Sequence, residues 1–241
     1  MANYDTTLFE QGLEQLGISL NQEQIEQFMQ YYELLIEWNK VMNLTGITEL
    51  EEVIVKHFLD SLAIVKVCDM KDIKTIIDIG TGAGLPGIPL KIAFPHIEVV
   101  LLDSLKKRMN FLDEVIKELK MANITTVHGR AEDFANKSEY REQFDLSVSR
   151  AVANLSTLSE YSLPFVKIGG EFISYKSGKI AEEVQQAQRA VKVLGGEIFS
   201  SDVFNLLDTD MERSFVVIKK DEKTPKRYPR KAGLPSKEPI S

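Results

Sequence analysis

The stretch Thr75-Ile76-Ile77-Asp78-Ile79-Gly80-Thr81-Gly82-Ala83-Gly84-Leu85-Pro86-Gly87 constrains this chain more than any other. Three isoleucines around one acid run directly into a loop with four glycines, which reads as a buried strand, a turn and then a helix. Glycines at such a place let the backbone approach a ligand closely, and the helix that follows offers unpaired N–H groups. In an open α/β sheet the loop sits at the carboxyl end of the first strand, where ligands bind.

The rest of the chain fits that frame. Seven β-rich runs are candidate strands: Thr75–Ile79, Glu98–Leu102, Thr125–His128, Phe144–Ser149, Glu171–Lys176, Glu197–Phe204 and Arg213–Lys219. Those before Ser177 are spaced as parallel crossovers require, which predicts a doubly wound α/β sheet covered on both faces. Only the polar segment Asn205–Glu212 separates the last two, which predicts a closing antiparallel hairpin. Before Lys71 the chain reads as helical. Leu8, Leu13 and Leu16 form a stripe ending at Gly17, and from Gln22 a second helix carries Ile25, Phe28, Met29, Tyr32, Leu35 and Ile36. Thr48 and Glu51 have the spacing of a capping box for a third helix through Val53, Ile54, His57, Phe58 and Leu62. Three parts are expected: a helical extension over residues 1–70, an α/β domain over 71–220 and a tail over 221–241.

Composition narrows the class. With 44% hydrophobic and 27% charged residues among 241, the chain can bury a core. The single cysteine, Cys68, excludes an intramolecular disulfide framework or a zinc site of paired cysteines. A reducing compartment, the cytoplasm, is expected. The start Met1-Ala2-Asn3-Tyr4-Asp5 has no basic leader, and no run approaches the ~18 apolar residues of a membrane span. A soluble monomer without membrane or metal partners is the expectation.

The net charge of −7 argues against a nucleic-acid binder, but the charge is uneven. Residues 1–60 carry a net of −9 and should repel phosphate, whereas residues 219–241 carry +5. That tail holds four prolines and Tyr228, so it reads as extended and ordered on binding, either as a phosphate-contacting arm or as a solubilising terminus.

Gly82, Gly84 and Gly87 satisfy G-x-G-x-x-G, which leaves both a nicotinamide enzyme and a methyltransferase open. Asp78, two residues before Gly80, together with the spacing of Gly80, Gly82 and Gly84, favours S-adenosyl-L-methionine, whose ammonium group has no counterpart in NAD. Asp103 lies 19 residues past Gly84 at the end of the second strand, where an acid accepts ribose hydroxyls. Its alternative role, shared with Ser104, is to cap the next helix. Gly129-Arg130-Ala131-Glu132-Asp133 follows the third strand, where an adenine edge would lie or a helix simply begins.

The fourth strand ends Ser149-Arg150-Ala151. The Asn or Asp, two prolines and an aromatic typical of amino-group methylation are missing there, and Cys68 lies too early to be the nucleophile that ring-carbon methylation needs. What remains is transfer to an atom with a free lone pair. Guanine N7 is such an atom and requires no general base. Arg150, and Lys176 at the end of the fifth strand, can position phosphate or a guanine edge, or else form surface ion pairs.

Trp38-Asn39 with Asn43-Leu44-Thr45, His57 to Leu62, Asp78 to Gly87, Arg130-Ala131-Glu132 and Ser149-Arg150-Ala151 together closely resemble the RsmG (GidB) family. The family consists of bacterial methyltransferases of a guanine N7 in small-subunit ribosomal RNA. The resemblance implies a seven-stranded Rossmann-like methyltransferase sheet with an N-terminal helical extension. It also implies S-adenosyl-L-methionine as cofactor and small-subunit ribosomal RNA, or the small ribosomal subunit, as partner. It places Gly80, Leu85, Ala131, Glu132 and Arg150 at the cofactor, with Asp103 and Ser104 nearby, and gives Asn43, Thr45, His57 and Asp60 a role at the substrate mouth. His57 reads equally as a satisfied, partly buried histidine, and Asn43 and Thr45 as turn and cap residues. Three competitors differ in class or substrate. A nicotinamide oxidoreductase has little chain after Ser177 for a substrate domain. A non-enzymatic cofactor-binding regulator would keep Asp78 and Gly80 without turnover, and a small-molecule methyltransferase is opposed chiefly by the tail.

The acidic first sixty residues should face away from RNA, leaving Lys106, Lys107, Arg108, Arg130, Arg150 and the tail as the attracting surface. Neutralising Lys226, Arg227, Arg230 and Lys231 together is expected to lower RNA affinity and flatten its salt dependence in filter-binding assays.

Overall fold

A computed structural model describes residues 4–241, so residues 1–3 of the expected extension and leaderless start lie outside the described residues. Seven strands form one sheet, β1 (Thr75–Ile79), β2 (Glu98–Asp103), β3 (Ile124–His128), β4 (Phe144–Arg150), β5 (Val166–Ser177), β6 (Gly196–Asn205) and β7 (Glu212–Lys220). Their spatial order is β3-β2-β1-β4-β5-β7-β6. The first five pair in parallel, and β7 lies antiparallel to both β5 and β6. The expected doubly wound sheet and closing hairpin are therefore present, with the hairpin folded so that its second strand is the inner one.

The ten α-helices among the described residues are α1 (Thr7–Gln15), α2 (Gln22–Met42), α3 (Leu50–Val53), α4 (Asp60–Leu62), α5 (Gly87–Ala93), α6 (Lys106–Glu118), α7 (Ala131–Phe134), α8 (Leu155–Ser162), α9 (Ala181–Val193) and α10 (Leu234–Lys237). Strand periodicity sends alternate residues to opposite faces, and both faces are covered. Ile76, Val99, Leu101 and Val148 join the core shared with the helical extension, while Ile77, Ile79, Val100 and Leu102 pack on the other side around Phe144 and Phe165.

Three local expectations are corrected. The expected fifth strand, from Glu171, begins at Val166, and Gly169 and Gly170 lie within it at an irregularity where β4 shifts register against β5. The Thr48/Glu51 capping box does not form, since α3 starts at Leu50 behind Glu49 with no side-chain cap, and the Thr48 carbonyl instead accepts a bond from the Tyr32 hydroxyl at 3.0 Å. The capping box of this region belongs to α2, where Asn21 and Gln24 bond reciprocally. The third helix is also not continuous. Between α3 and α4 runs a π-helical turn, Ile54–Leu59, which buries Ile54, Phe58 and Leu59 while bringing Lys56 and His57 to the ligand edge of the sheet.

The tail departs from its expected extended form. Thr224, Pro229 and Pro235 are buried, α10 forms near its end, and the Arg141 guanidinium donates to the carbonyls of Thr224 (2.8 Å) and Tyr228 (3.0 Å). Tyr228 and Ile240 pack against the core of α8 and α9. Proline and charge suggested a free arm, but the carbonyls of the tail find buried donors. No described helix is long and apolar enough to cross a membrane.

An aromatic cluster holds the extension together, and Tyr31 and Trp38 carry it to Phe111 of α6, at 6.5 Å and 5.8 Å between ring centroids. Phe58 stands 5.0 Å from Phe28, 5.5 Å from Tyr31 and 6.2 Å from Phe9 between ring centroids, and all four side chains are fully buried. Phe58→Ala is expected to destabilise the protein by about 3–5 kcal/mol in urea unfolding, because α1, α2 and the π-helical turn meet at the cavity it leaves.

Candidate active site

The glycine loop is held from three sides. Asp78, fully buried at the end of β1, accepts from the Thr81 hydroxyl at 2.6 Å and the Gly87 N–H at 2.9 Å. The Tyr31 hydroxyl of α2 donates to the Ala83 carbonyl at 2.5 Å. From β2, Asp103 accepts the Gly82 N–H at 3.0 Å. Gly80, Gly82 and Gly84 all have positive φ, which only glycine adopts freely. At Gly80 a Cβ would lie 2.6 Å from Val152, so the loop backbone is pressed against the segment after β4.

Over this loop opens a cleft of about 360 Å³. Gly80, Asp103, Ser104, Arg130, Ala131 and Glu132 all line it, together with Arg108, Ala151, Val152 and Tyr161. Asp78, fully buried, and Gly82, Gly84 and Leu85 shape the loop without lining the cleft, Gly84 lying against Ile88 and Leu112. Asp103 is not the cap of α6, whose N-cap is Leu105 with no side-chain cap bond. It faces the cleft, and its carboxylate also accepts the Leu105 N–H at 2.9 Å and Arg108 Nη1 at 2.9 Å.

A second cleft of about 480 Å³ adjoins the first, and Ala151 lines both. Lys56, His57, Asp60, Arg150, Lys176 and Arg213 converge on it. Asp60 is the fixed point: its Oδ2 accepts Arg150 Nη1 at 2.7 Å and its Oδ1 accepts Arg213 Nε at 2.8 Å. Thus Arg150, expected at the cofactor, turns toward the second cleft. Lys176 donates to Glu183 Oε1 at 2.6 Å and to the Ala153 carbonyl at 2.8 Å, and Glu183 also accepts the Leu155 N–H. Its ammonium therefore clamps the loop after β4. Ala151, in that loop, has φ +57, an uncommon conformation for a residue with a Cβ and one that clusters at functional sites.

His57 and Thr45 are joined. His57 Nδ1 faces the Lys56 carbonyl at 3.1 Å and so is the donor, leaving Nε2 to accept the Thr45 hydroxyl at 2.8 Å. Thr45 in turn accepts the Ile47 N–H at 3.0 Å. Burial and then the Arg150 charge lower the His57 pKa to about 4, so the ring is neutral at physiological pH. Asn43 is the exposed left-handed end of α2, with φ +50. Of the tail residues, Lys226, Arg227 and Lys231 are exposed, but Arg230 is committed to buried Glu160 at 2.7 Å. Arg230 is thereby removed from the phosphate-contacting set.

Sequence reasoning missed Tyr31, Arg213, Glu183 and Tyr161. The stripe of α2 pointed to Tyr32 as core, whereas Tyr31 is the fully buried residue. Arg213 is signalled only by its position opposite the end of β5, where it pairs with Ser177.

The residues present suit a cofactor with an adenosine and an ammonium group. Asp78 Oδ1 is buried with no hydrogen-bond partner among the described residues, and burial pushes its pKa up to about 6 against the bonds from Thr81 and Gly87. A cation would supply the missing partner. Among the described residues no group of His, Cys, Asp and Glu is arranged to hold a metal.

The model of the family described as rRNA small subunit methyltransferase G (GidB) matches residues 24–209. The chain belongs to that family. It is 56% identical over 236 residues to the Ribosomal RNA small subunit methyltransferase G of Lachnoclostridium phytofermentans, covering 98% of each chain. To the protein so named from Thermoanaerobacter sp. it is 50% identical over 240 residues, covering all of both. Among solved structures it is similar to Pyrococcus horikoshii TYW2 in complex with MeSAdo, with a TM-score of 0.52 and 14% identity over 67% of this chain and 61% of that one. At that identity the likeness shows the fold, a Rossmann-like methyltransferase sheet. The match covers most of α2 and the strands β1 to β6, so the first cleft lies wholly within it and the second does so apart from Arg213, Ser214 and Phe215 on β7.

The His57 geometry yields a measurable consequence. Its lowered pKa means that the folded protein resists protonation of this ring, so the stability it contributes at neutral pH is lost as pH falls from about 6.5 through about 4. An NMR titration should place the His57 midpoint near 4, and Arg150→Ala should move it up toward the ordinary histidine value.

Proposed function

We propose that this chain transfers a methyl group from S-adenosyl-L-methionine to N7 of a guanine in small-subunit (16S) ribosomal RNA, in line and without a covalent intermediate. The observation that carries the reading is the meeting of two clefts at Ala151, one lined by Asp103, Ala131 and Glu132 and suited to an adenosine, with Asp78 buried beneath its glycine loop, the other lined by cations and a neutral histidine. Relatives spanning the whole chain bear the name ribosomal RNA small subunit methyltransferase G, which supplies the substrate class.

S-adenosyl-L-methionine, when bound, supplies a methyl group on a positively charged sulfur. In this reading Asp78 meets the ammonium of the methionine part, Asp103 accepts the ribose hydroxyls with Ser104 beside it, and Ala131 and Glu132 border the adenine. Gly80 lets the backbone come close, and Gly82, Gly84 and Leu85 keep the loop in shape. Guanine N7 has its own lone pair, so the site needs no group to remove a proton. That suits a His57 ring that is neutral and already bonded at both nitrogens.

Catalysis then consists of placement. Arg150, fixed by Asp60, orients a guanine edge or a phosphate at the shared wall. Lys176 acts on the same geometry by holding the Ala153 carbonyl, and Asn43, Thr45, His57 and Asp60 frame the mouth. Arg130, Lys226, Arg227 and Lys231 supply positive charge that attracts RNA without reading its sequence. The enzyme works in the cytoplasm as a monomer.

Methyl transfer from labelled S-adenosyl-L-methionine to unmodified small ribosomal subunits, and separately to protein-free RNA, tests the reading. Label recovered as N7-methylguanosine is expected, and no label on either substrate overturns it. Asp78 gives a second test. Its carboxyl is charged only above about pH 6, so cofactor binding should weaken by up to ~10-fold per pH unit below that value. Calorimetric titration should show this slope in the native chain and its loss in Asp78→Asn, which should bind more weakly at pH 7.5.

A further inference from the structure

The tail is not a free arm: residues 230 to 236 pack behind the wall of the cofactor cleft. Arg230 and Glu160 form a fork, with Nε 3.0 Å and 3.1 Å from the two carboxylate oxygens and Nη2 2.7 Å from Oε2. The Arg230 N–H adds a fourth bond to Oε1 at 2.7 Å. The Glu160 carboxylate is fully buried on α8, so this arginine is the charge that offsets it. Leaving such a carboxylate unpaired is strongly destabilising, and the tail is therefore committed to its docked path.

Three residues farther on, the Gly233 N–H donates to Glu132 Oε1 at 2.8 Å. Glu132 lines the cofactor cleft. Its other oxygen, Oε2, makes no hydrogen bond among the described residues and remains for a donor from a ligand. Gly233 has φ +82, where a side chain is strained, and Arg130 Nη1 lies 3.9 Å from the position its Cβ would take. The Pro235 carbonyl accepts the Thr157 hydroxyl at 3.0 Å, and the Ser236 hydroxyl neighbours the phenol of Tyr161, a second residue of the cleft wall. Two separate walls of the cleft, Glu132 and Tyr161, are thus backed by the same short segment.

We propose that residues 224–238 are a strap that completes the cofactor cleft, with Arg230 and Gly233 as positioning residues that fix the Glu132 carboxylate for a nucleoside amino group. The proposal rests on the reading of this cleft as the S-adenosyl-L-methionine site. Because coupling is reciprocal, a cofactor that binds better to the strapped cleft also tightens the strap. The exposed bases Lys226, Arg227 and Lys231 become a fixed ledge beside the cleft, so their work on RNA is separable from the work of Arg230 on the cofactor.

Calorimetric titration of the full chain with S-adenosyl-L-methionine, in the absence of RNA, separates the two. Arg230→Ala and Glu160→Gln should each weaken the cofactor Kd by about tenfold, a coupling within the usual range for linked sites, with Arg230→Lys recovering part of the loss. Reversing Lys226, Arg227 and Lys231 to glutamate should leave that Kd unchanged. Should the Arg230 variant fail to fold, the native chain provides the second arm: trypsin cleavage after Lys231 should slow about tenfold on adding S-adenosyl-L-methionine. A native cofactor Kd in Arg230→Ala, or cleavage indifferent to cofactor, overturns the strap while leaving the proposed activity standing. Absence of cofactor binding by the native chain overturns the cofactor reading and the strap with it.

Discussion

Asp60 belongs to the helical extension and is almost wholly buried, yet both of its oxygens are taken by arginines from the sheet, Arg150 at the end of β4 and Arg213 at the start of β7. Three parts of the chain that are far apart in sequence are brought to one point by this carboxylate. Two guanidiniums around one carboxylate leave a net positive charge at the mouth of the second cleft, while Lys176 on the loop side is matched by Glu183. Burying such a set has a desolvation cost, and the gain is directional: the planar forks fix where each positive charge points. The π-helical turn before Asp60 belongs to the same arrangement, because it lets Phe58 and Leu59 enter the core while Lys56 and His57 face the cleft.

A second link runs from the extension to the cofactor loop. Tyr31 is stacked against Phe58 on one side and donates its hydroxyl to the Ala83 carbonyl in the middle of the glycine loop. The extension is therefore a support for both clefts, which explains how residues with a net negative charge can serve an enzyme of RNA. Their acidic side chains lie largely on exposed helix faces, while their contribution to the site is made by buried aromatics and by Asp60.

Much of this was legible beforehand, for identifiable reasons. The strand ending in Asp78 and its glycine loop has a local pattern with few structural solutions, and β1 occupies the very residues read as a strand. Asp103, Ser104, Arg130 and Glu132 were found because parallel strands deliver their carboxyl ends to one edge of the sheet. What escaped reading depends on long-range pairing. Arg213 reaches Asp60 across 153 positions, and Arg230 reaches Glu160 across 70. Charge and proline in the tail mimic a flexible arm, since a buried partner such as Glu160 leaves no mark on the tail's own sequence. The start of β5 was missed as well, because Gly169 and Gly170 interrupt the β-rich run between Val166 and Glu171.

The position of β7 bears on how such a chain can be made. It is the last strand in sequence but the next-to-last in space, inserted between β5 and β6. A nascent chain that has released β5 and β6 still shows an open strand edge, because the segment Glu212–Lys220 that covers it has yet to emerge. Asp60, synthesised early, likewise waits for Arg213 before its second oxygen is bonded. Folding of the sheet is thus completed from its carboxyl-terminal end, and a chain interrupted before residue 220 would present an unpaired edge prone to sticking to other chains.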